Sequence, residues 1–76
     1  MTDIVKRSVV VDGHRTSVSL EPAFWDVLKE IAARRGLSIN KLIAEIDRDR
    51  TGNLSSAIRV YILRTVRADR EEAGRD

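Results

Sequence analysis

Arg15, Ser17 and Ser19, spaced two apart, are the side chains in this sequence best suited to chemistry. On an extended strand alternate side chains point the same way, so all three would share one face. A guanidinium there can donate bidentately to the O6 and N7 edge of guanine. The two serine hydroxyls can donate or accept at close approach. A second group follows Gly36-Leu37: Ser38, Asn40 and Lys41 would stand at the start of a helix. Free backbone N–H groups and partial positive charge suit a phosphate there, with the Lys41 ammonium in the same turn. Lys6 is a further candidate for a phosphate. Contacts to phosphates position a protein on a duplex, whereas contacts to base edges read sequence.

Two other constellations fail on their chemistry. Asp47 to Ser55 imitates the first nine positions of a calcium-binding EF-hand loop. Position twelve of 47–58, which requires a bidentate glutamate, is Ile58, and Arg48 and Arg50 oppose the negative charge that a hard cation needs. The segment reads instead as a capped helix-to-helix turn with Gly52 in a tight bend. His14 is the sole histidine. Thr16 shares its strand face, but no acid is placed to orient the imidazole as a base. We assign no catalytic residue, metal ligand or cofactor, and read the chain as a non-enzyme.

The elements that must position these residues can be read from spacing. Residues 4 to 20 alternate between Val-rich and polar positions around Asp12-Gly13, a strong signal for a two-residue hairpin turn. That turn would set Val11 opposite His14, Val9 opposite Thr16, Ser8 opposite Ser17 and Lys6 opposite Ser19. Directly opposed residues share a face. One face then carries Val5, Val9, Val11, Thr16, Val18 and Leu20, with Arg7 as its misfit. The other carries Lys6, Ser8, Val10, Arg15, Ser17 and Ser19. The alternative leaves residues 1–12 as a flexible basic arm.

Pro22 suits the first position of a helix over residues 22–35, which Gly36 would close in a left-handed conformation while Leu37 packs back. Ser38 would cap a second helix, 38–49, with the stripe Ile39, Leu42, Ile43 and Ile46. Ser55 would cap a third, 55–70, whose stripe Ile58, Tyr61, Ile62 and Val66 is widened by Val60 and Leu63. The charged tail from Ala68 is expected to fray.

The chain has 76 residues, no cysteine and one proline, and it is 42% hydrophobic. This describes a single domain, 1–76, mostly α with an N-terminal β ribbon or hairpin, and with no disulfides to staple it. A chain this short buries only about 60% of its unfolded surface, so a core shared between two copies would help it. Val18, Leu20, Trp25, Leu28, Leu42, Ile43, Ile46, Ile58, Tyr61 and Ile62 are the expected members of that dimer core. The formal charge of +2 is mildly basic and weak evidence for nucleic acid by itself. There is no secretory leader pattern and no apolar run long enough to span a bilayer, so the expectation is a cytoplasmic protein without a membrane role.

The stretch His14-Arg15-Thr16-Ser17-Val18-Ser19-Leu20-Glu21, then Phe24-Trp25, Leu28 and Gly36-Leu37-Ser38, resembles the ribbon-helix-helix (MetJ/Arc-type) superfamily of bacterial repressors and antitoxins. With the later Asn53-Leu54-Ser55-Ser56-Ala57 and Arg59, the likeness runs over residues 8–67 and narrows to a subfamily of small bacterial ribbon-helix-helix domain proteins. The resemblance implies an intertwined homodimer with an additional C-terminal helix, with room for association into tetramers. It also implies double-stranded DNA as partner, base contacts at positions 15, 17 and 19, and phosphate contacts at the start of the second helix. An antitoxin of this kind would have a protein partner as well. Two departures matter. Two of the three reading positions are serine, and a strand over 5–11 flanking the ribbon on each side would broaden it beyond the groove. A domain repurposed for protein assembly is the alternative function.

Overall fold

The computed structural model describes residues 3–74. Met1, Thr2, Arg75 and Asp76 of the expected 1–76 domain lie outside the described residues. Two strands, β1 (Val5–Val11) and β2 (His14–Leu20), are followed by three helices, α1 (Pro22–Arg35), α2 (Ile39–Asp49) and α3 (Leu54–Ala73). The strands form one antiparallel hairpin in the register Val5↔Leu20 through Val11↔His14. Asp12 and Gly13 both have positive φ, +50° and +81°, the type I′ geometry whose twist matches that of the strands. Residues 5–11 are therefore a paired strand and not an arm.

The inner face of the hairpin closes against the helices. Val9, Val11, Val18 and Leu20 are buried together with Leu28, Ile31, Ala32, Leu42, Ile43, Ala44, Ile46, Ile58 and Ile62 in one cluster. Eight of the ten residues expected to make a dimer core are thus buried within a single chain, while Trp25 and Tyr61 are half-buried against the cluster. Val5 and Thr16, on the same face, are less covered. The misfit Arg7 stays on this face because its guanidinium stacks over the indole of Trp25, 4.6 Å from the ring centroid.

Each helix boundary has a local cause. Pro22 opens α1, and Gly36 ends it at φ +69°. The Gly36 N–H donates to the Ala33 carbonyl and the Leu37 N–H to the Ala32 carbonyl, the paired bonds of a Schellman motif. Ser38 caps α2. The cap of α3 is Asn53, not Ser55: the Asn53 carboxamide accepts from the Ser56 N–H at 3.1 Å. Ser55 turns its hydroxyl to β2 instead. The tail also stays helical to Ala73, one turn beyond the expected end, and the Asp69 carboxylate near that turn pairs with Arg34 at 3.0 Å. On the far side of α3, Val60, Leu63 and Val66 are exposed, so Val66 does not join the buried stripe.

Candidate nucleic-acid interface

The outer face of the hairpin carries Lys6, Ser8 and Val10 from β1 opposite Ser19, Ser17 and Arg15 from β2. All are exposed except Ser19, which is half-buried. Alternation along the strands places them there, and the buried valines of the inner face fix which side faces out. Arg15, Ser17 and Ser19 therefore do share a face, with Lys6 and Ser8 beside them.

The helix α2 start is adjacent to this face at its turn end. Asn40 and Lys41 line one groove with Val10, Asp12 and Gly13, and Arg48 pairs with Asp12 at 3.5 Å across it. Ser38 lies outside that groove, and its hydroxyl accepts from the Lys41 N–H at 3.1 Å. That leaves the Ile39 and Asn40 amides, rather than the Lys41 amide, as the open donors of the first turn. Lys6 stands at the opposite end of the hairpin, four residues along β1 from Val10.

Six of the basic side chains are paired with carboxylates. Lys29, Arg34, Arg35, Arg48, Arg50 and Arg59 each sit within 4.0 Å of a carboxylate, on Asp26, Asp69, Glu45, Asp12, Asp47 and Glu21 respectively. Arg35 also donates to the Tyr61 hydroxyl at 3.1 Å, and that bond, ahead of Glu45, raises its pKa. Among the described residues Lys6, Arg15 and Lys41 have no such carboxylate, nor do Arg64, Arg67 and Arg70 along α3.

The most informative contacts were invisible to periodicity. The Ser19 N–H donates to the Ser55 hydroxyl at 2.9 Å, and the Ser19 carbonyl accepts from Arg59 at 3.0 Å. Arg59 donates to Glu21 at 3.1 Å as well. Glu21 is held below its ordinary pKa, first by a backbone hydrogen bond at its own residue, with Arg59 adding to this against desolvation. These residues lie 36 to 40 positions apart in sequence, and no short-range pattern couples them.

The calcium-like segment has other partners too. Arg50 bonds to the Asp47 carboxylate and to the Gly52 carbonyl, Asn53 caps α3, and Ser55 holds β2. His14 is exposed at the start of β2. Among the described residues no helix is long and apolar enough to cross a membrane.

A hairpin with a polar outer face, followed by a helix, a Gly-Leu-Ser turn and a second helix, is the ribbon-helix-helix arrangement. The chain belongs to the ribbon-helix-helix domain family, whose model matches residues 4–66. Domains of this family are commonly DNA-binding regulators and typically dimerise. Among solved structures the chain is similar to an uncharacterized protein from Bordetella pertussis Tohama I, with a TM-score of 0.78 and 38% identity. The match covers 92% of this chain and 61% of that one, so the chain spans about three-fifths of the length of its structural relative. No curated protein matches.

Proposed function

We propose that this chain is a sequence-specific DNA-binding transcriptional regulator, a cytoplasmic bacterial repressor in type, that works as a homodimer. The outer faces of its hairpins would lie along a major groove. The observation that carries this reading is the distribution of unpaired cations. Six basic residues are neutralised by neighbouring carboxylates, while Lys6 and Arg15 on the outer face and Lys41 beside it are left without one, as are Arg64, Arg67 and Arg70 on α3.

The paired β1 changes how such a sheet would sit. Two hairpins joined through β2 make four strands at about 4.8 Å spacing, a span of about 14 Å against a groove about 12 Å wide. The flanking β1 strands would then ride on the groove walls, which places Lys6 and Ser8 against phosphates. The two β2 strands would face the bases from a shallower depth. At that depth the long Arg15 side chain still reaches a base edge, whereas the short hydroxyls of Ser17 and Ser19 bond through water or to the backbone. Arg15 is thus the principal reader, with Asn40, Lys41 and the open amides of α2 as positioning contacts.

Selection of bound sequences from a random duplex pool, followed by titration of the selected site, tests this. Enrichment of a two-fold symmetric site is the expected result, and binding of all duplexes alike, or of none, would remove the reading. A role in protein assembly is the second reading. The exposed Val60, Leu63 and Val66 on α3 favour it, since they are a surface for protein and not for a polyanion.

A further inference from the structure

We propose that Ser55 and Arg59 form a stop on the open edge of β2, so that a second copy of the chain can add its own β2 only alongside Arg15–Ser17. The two-fold axis would then pass beside Thr16. The inference rests on the proposal that the chain works as a homodimer.

In an antiparallel pair, residues alternate between those whose N–H and C=O both face the neighbour and those whose groups both face away. Both backbone groups of Ser19 bond to α3 side chains and not to β1, so Ser19 is of the second kind. By alternation Arg15 and Ser17 are too. Their N–H and C=O groups therefore point along the free edge of β2, where no partner meets them among the described residues. That edge opens into a groove lined by His14, Thr16 and Ser17 on one side and by Asp47, Arg50, Asn53 and Leu54 on the other.

Symmetric registers differ in which residue lies beside the axis, and those centred on Ser17 or Val18 both need the Ser19 groups that α3 already holds. An axis beside Ser17 would pair Arg15 with Ser19 of the other copy, whose N–H is taken by Ser55 and whose carbonyl is taken by Arg59. Arg59 is itself held by Glu21, so clearing this position breaks a linked set of bonds. An axis beside Arg15 would oppose two guanidiniums directly and set Ser17 against Gly13 in the turn, where the strand has ended. An axis beside Thr16 pairs Arg15 with Ser17 in both directions. It satisfies every open group and keeps like charges diagonal. The open segment is symmetric about its central residue, which is what an isologous contact between identical chains requires. A second copy is therefore the occupant that fits it.

The chain contains no cysteine, so single introduced thiols report the register directly. With the axis beside Thr16, the two Thr16 Cα atoms lie about 4.5 Å apart, within disulfide range. The two Ser17 residues are then diagonal, at about 7–8 Å, beyond it. Under mild oxidation Thr16→Cys should give covalent dimer on a non-reducing gel while Ser17→Cys stays monomeric. Adding Ser55→Ala and Arg59→Gln to Ser17→Cys should remove the stop and allow that cross-link. Amide exchange on the unaltered chain supplies a readout free of substitution. Arg15 and Ser17 should gain protection as concentration rises, and Ser19 should be protected throughout. Faster cross-linking of Ser17→Cys than of Thr16→Cys with the stop intact would overturn the register but leave the dimer standing. Sedimentation of the unaltered chain as a folded monomer at every concentration would overturn the dimer and the register with it.

Discussion

The guanidinium of Arg7 stacks on the indole of Trp25 between the hairpin and α1, and its Nε is buried with no hydrogen-bond partner. The stack explains how a charged residue occupies an apolar register position. Its cost is an unsatisfied donor, which removal would relieve. Arg7→Met should therefore change stability by less than about 1 kcal/mol in either direction, since a long apolar chain refills the space over the ring. Trp25→Leu should cost about 1–2 kcal/mol, because it removes both ring packing and the cation–π contact while leaving the charge in place. Urea unfolding followed by circular dichroism checks both, and a larger loss from Arg7→Met would show the ion to be stabilising.

For DNA binding the contrast lies between Arg15 and Lys41. Arg15→Ala should weaken the selected site by about 1–3 kcal/mol and relax preference at one base per half-site. Lys41→Ala should weaken all duplexes alike and make the salt slope shallower by about 1 for each phosphate no longer neutralised. Titrations on selected and scrambled duplexes at two salt concentrations separate the two roles. Equal behaviour of the two variants would mean that Arg15 contacts phosphate and reads no base.

A pH dependence follows from Glu21. Its pKa in the folded chain lies below the ordinary value of 4.5. The folded state therefore gains from its ionisation above that value and loses this support as pH falls through the lower, folded value. Glu21→Gln should lower thermal stability near neutrality and make it less sensitive to acid between about pH 5 and pH 3, so that the variant and the unaltered chain converge at low pH. An acid limb that is unchanged by the substitution would show that the ionisation of Glu21, held by its backbone hydrogen bond and by Arg59, contributes nothing there.

The start of α3 offers a test of which residue caps it. Asn53→Ala should cost about 1 kcal/mol by freeing the Ser56 N–H. Ser55→Ala should act at a distance, on β2, by leaving the Ser19 N–H without its acceptor, and amide exchange should rise at Ser19 while the first turn of α3 is unaffected. Exchange rates resolved by residue distinguish a cap from a strand tether.

These caps also mark the boundary of what the sequence discloses. Asp12-Gly13 determines a turn with positive φ at two successive residues, and that turn sets the whole hairpin register, so each face of the ribbon was legible residue by residue. Gly36-Leu37-Ser38 ended one helix and began the next for equally local reasons. The partner of Arg7 was not legible, because a period of two reports which face a residue takes and not the ring that waits across the core. Nor was the choice between Asn53 and Ser55. Both are good caps by type, and only the fold shows that Ser55 faces β2. Within the candidate site, Arg15, Ser17 and Ser19 were found by alternation, whereas the Ser55 and Arg59 that hold Ser19 come from a helix nearly forty residues away.

The core that closes within one chain has a kinetic consequence. The hairpin is local, α1 and α2 are joined by a tight turn, and the distant steps are the docking of α2 on β1 and of α3 on β2. Assembly of that core is therefore a first-order process with a rate set by how soon these two helices return to the sheet, and refolding half-times should not lengthen on dilution. A newly made chain meets its own helices before it meets another chain, and a scarce protein of this kind need not be an unfolded one.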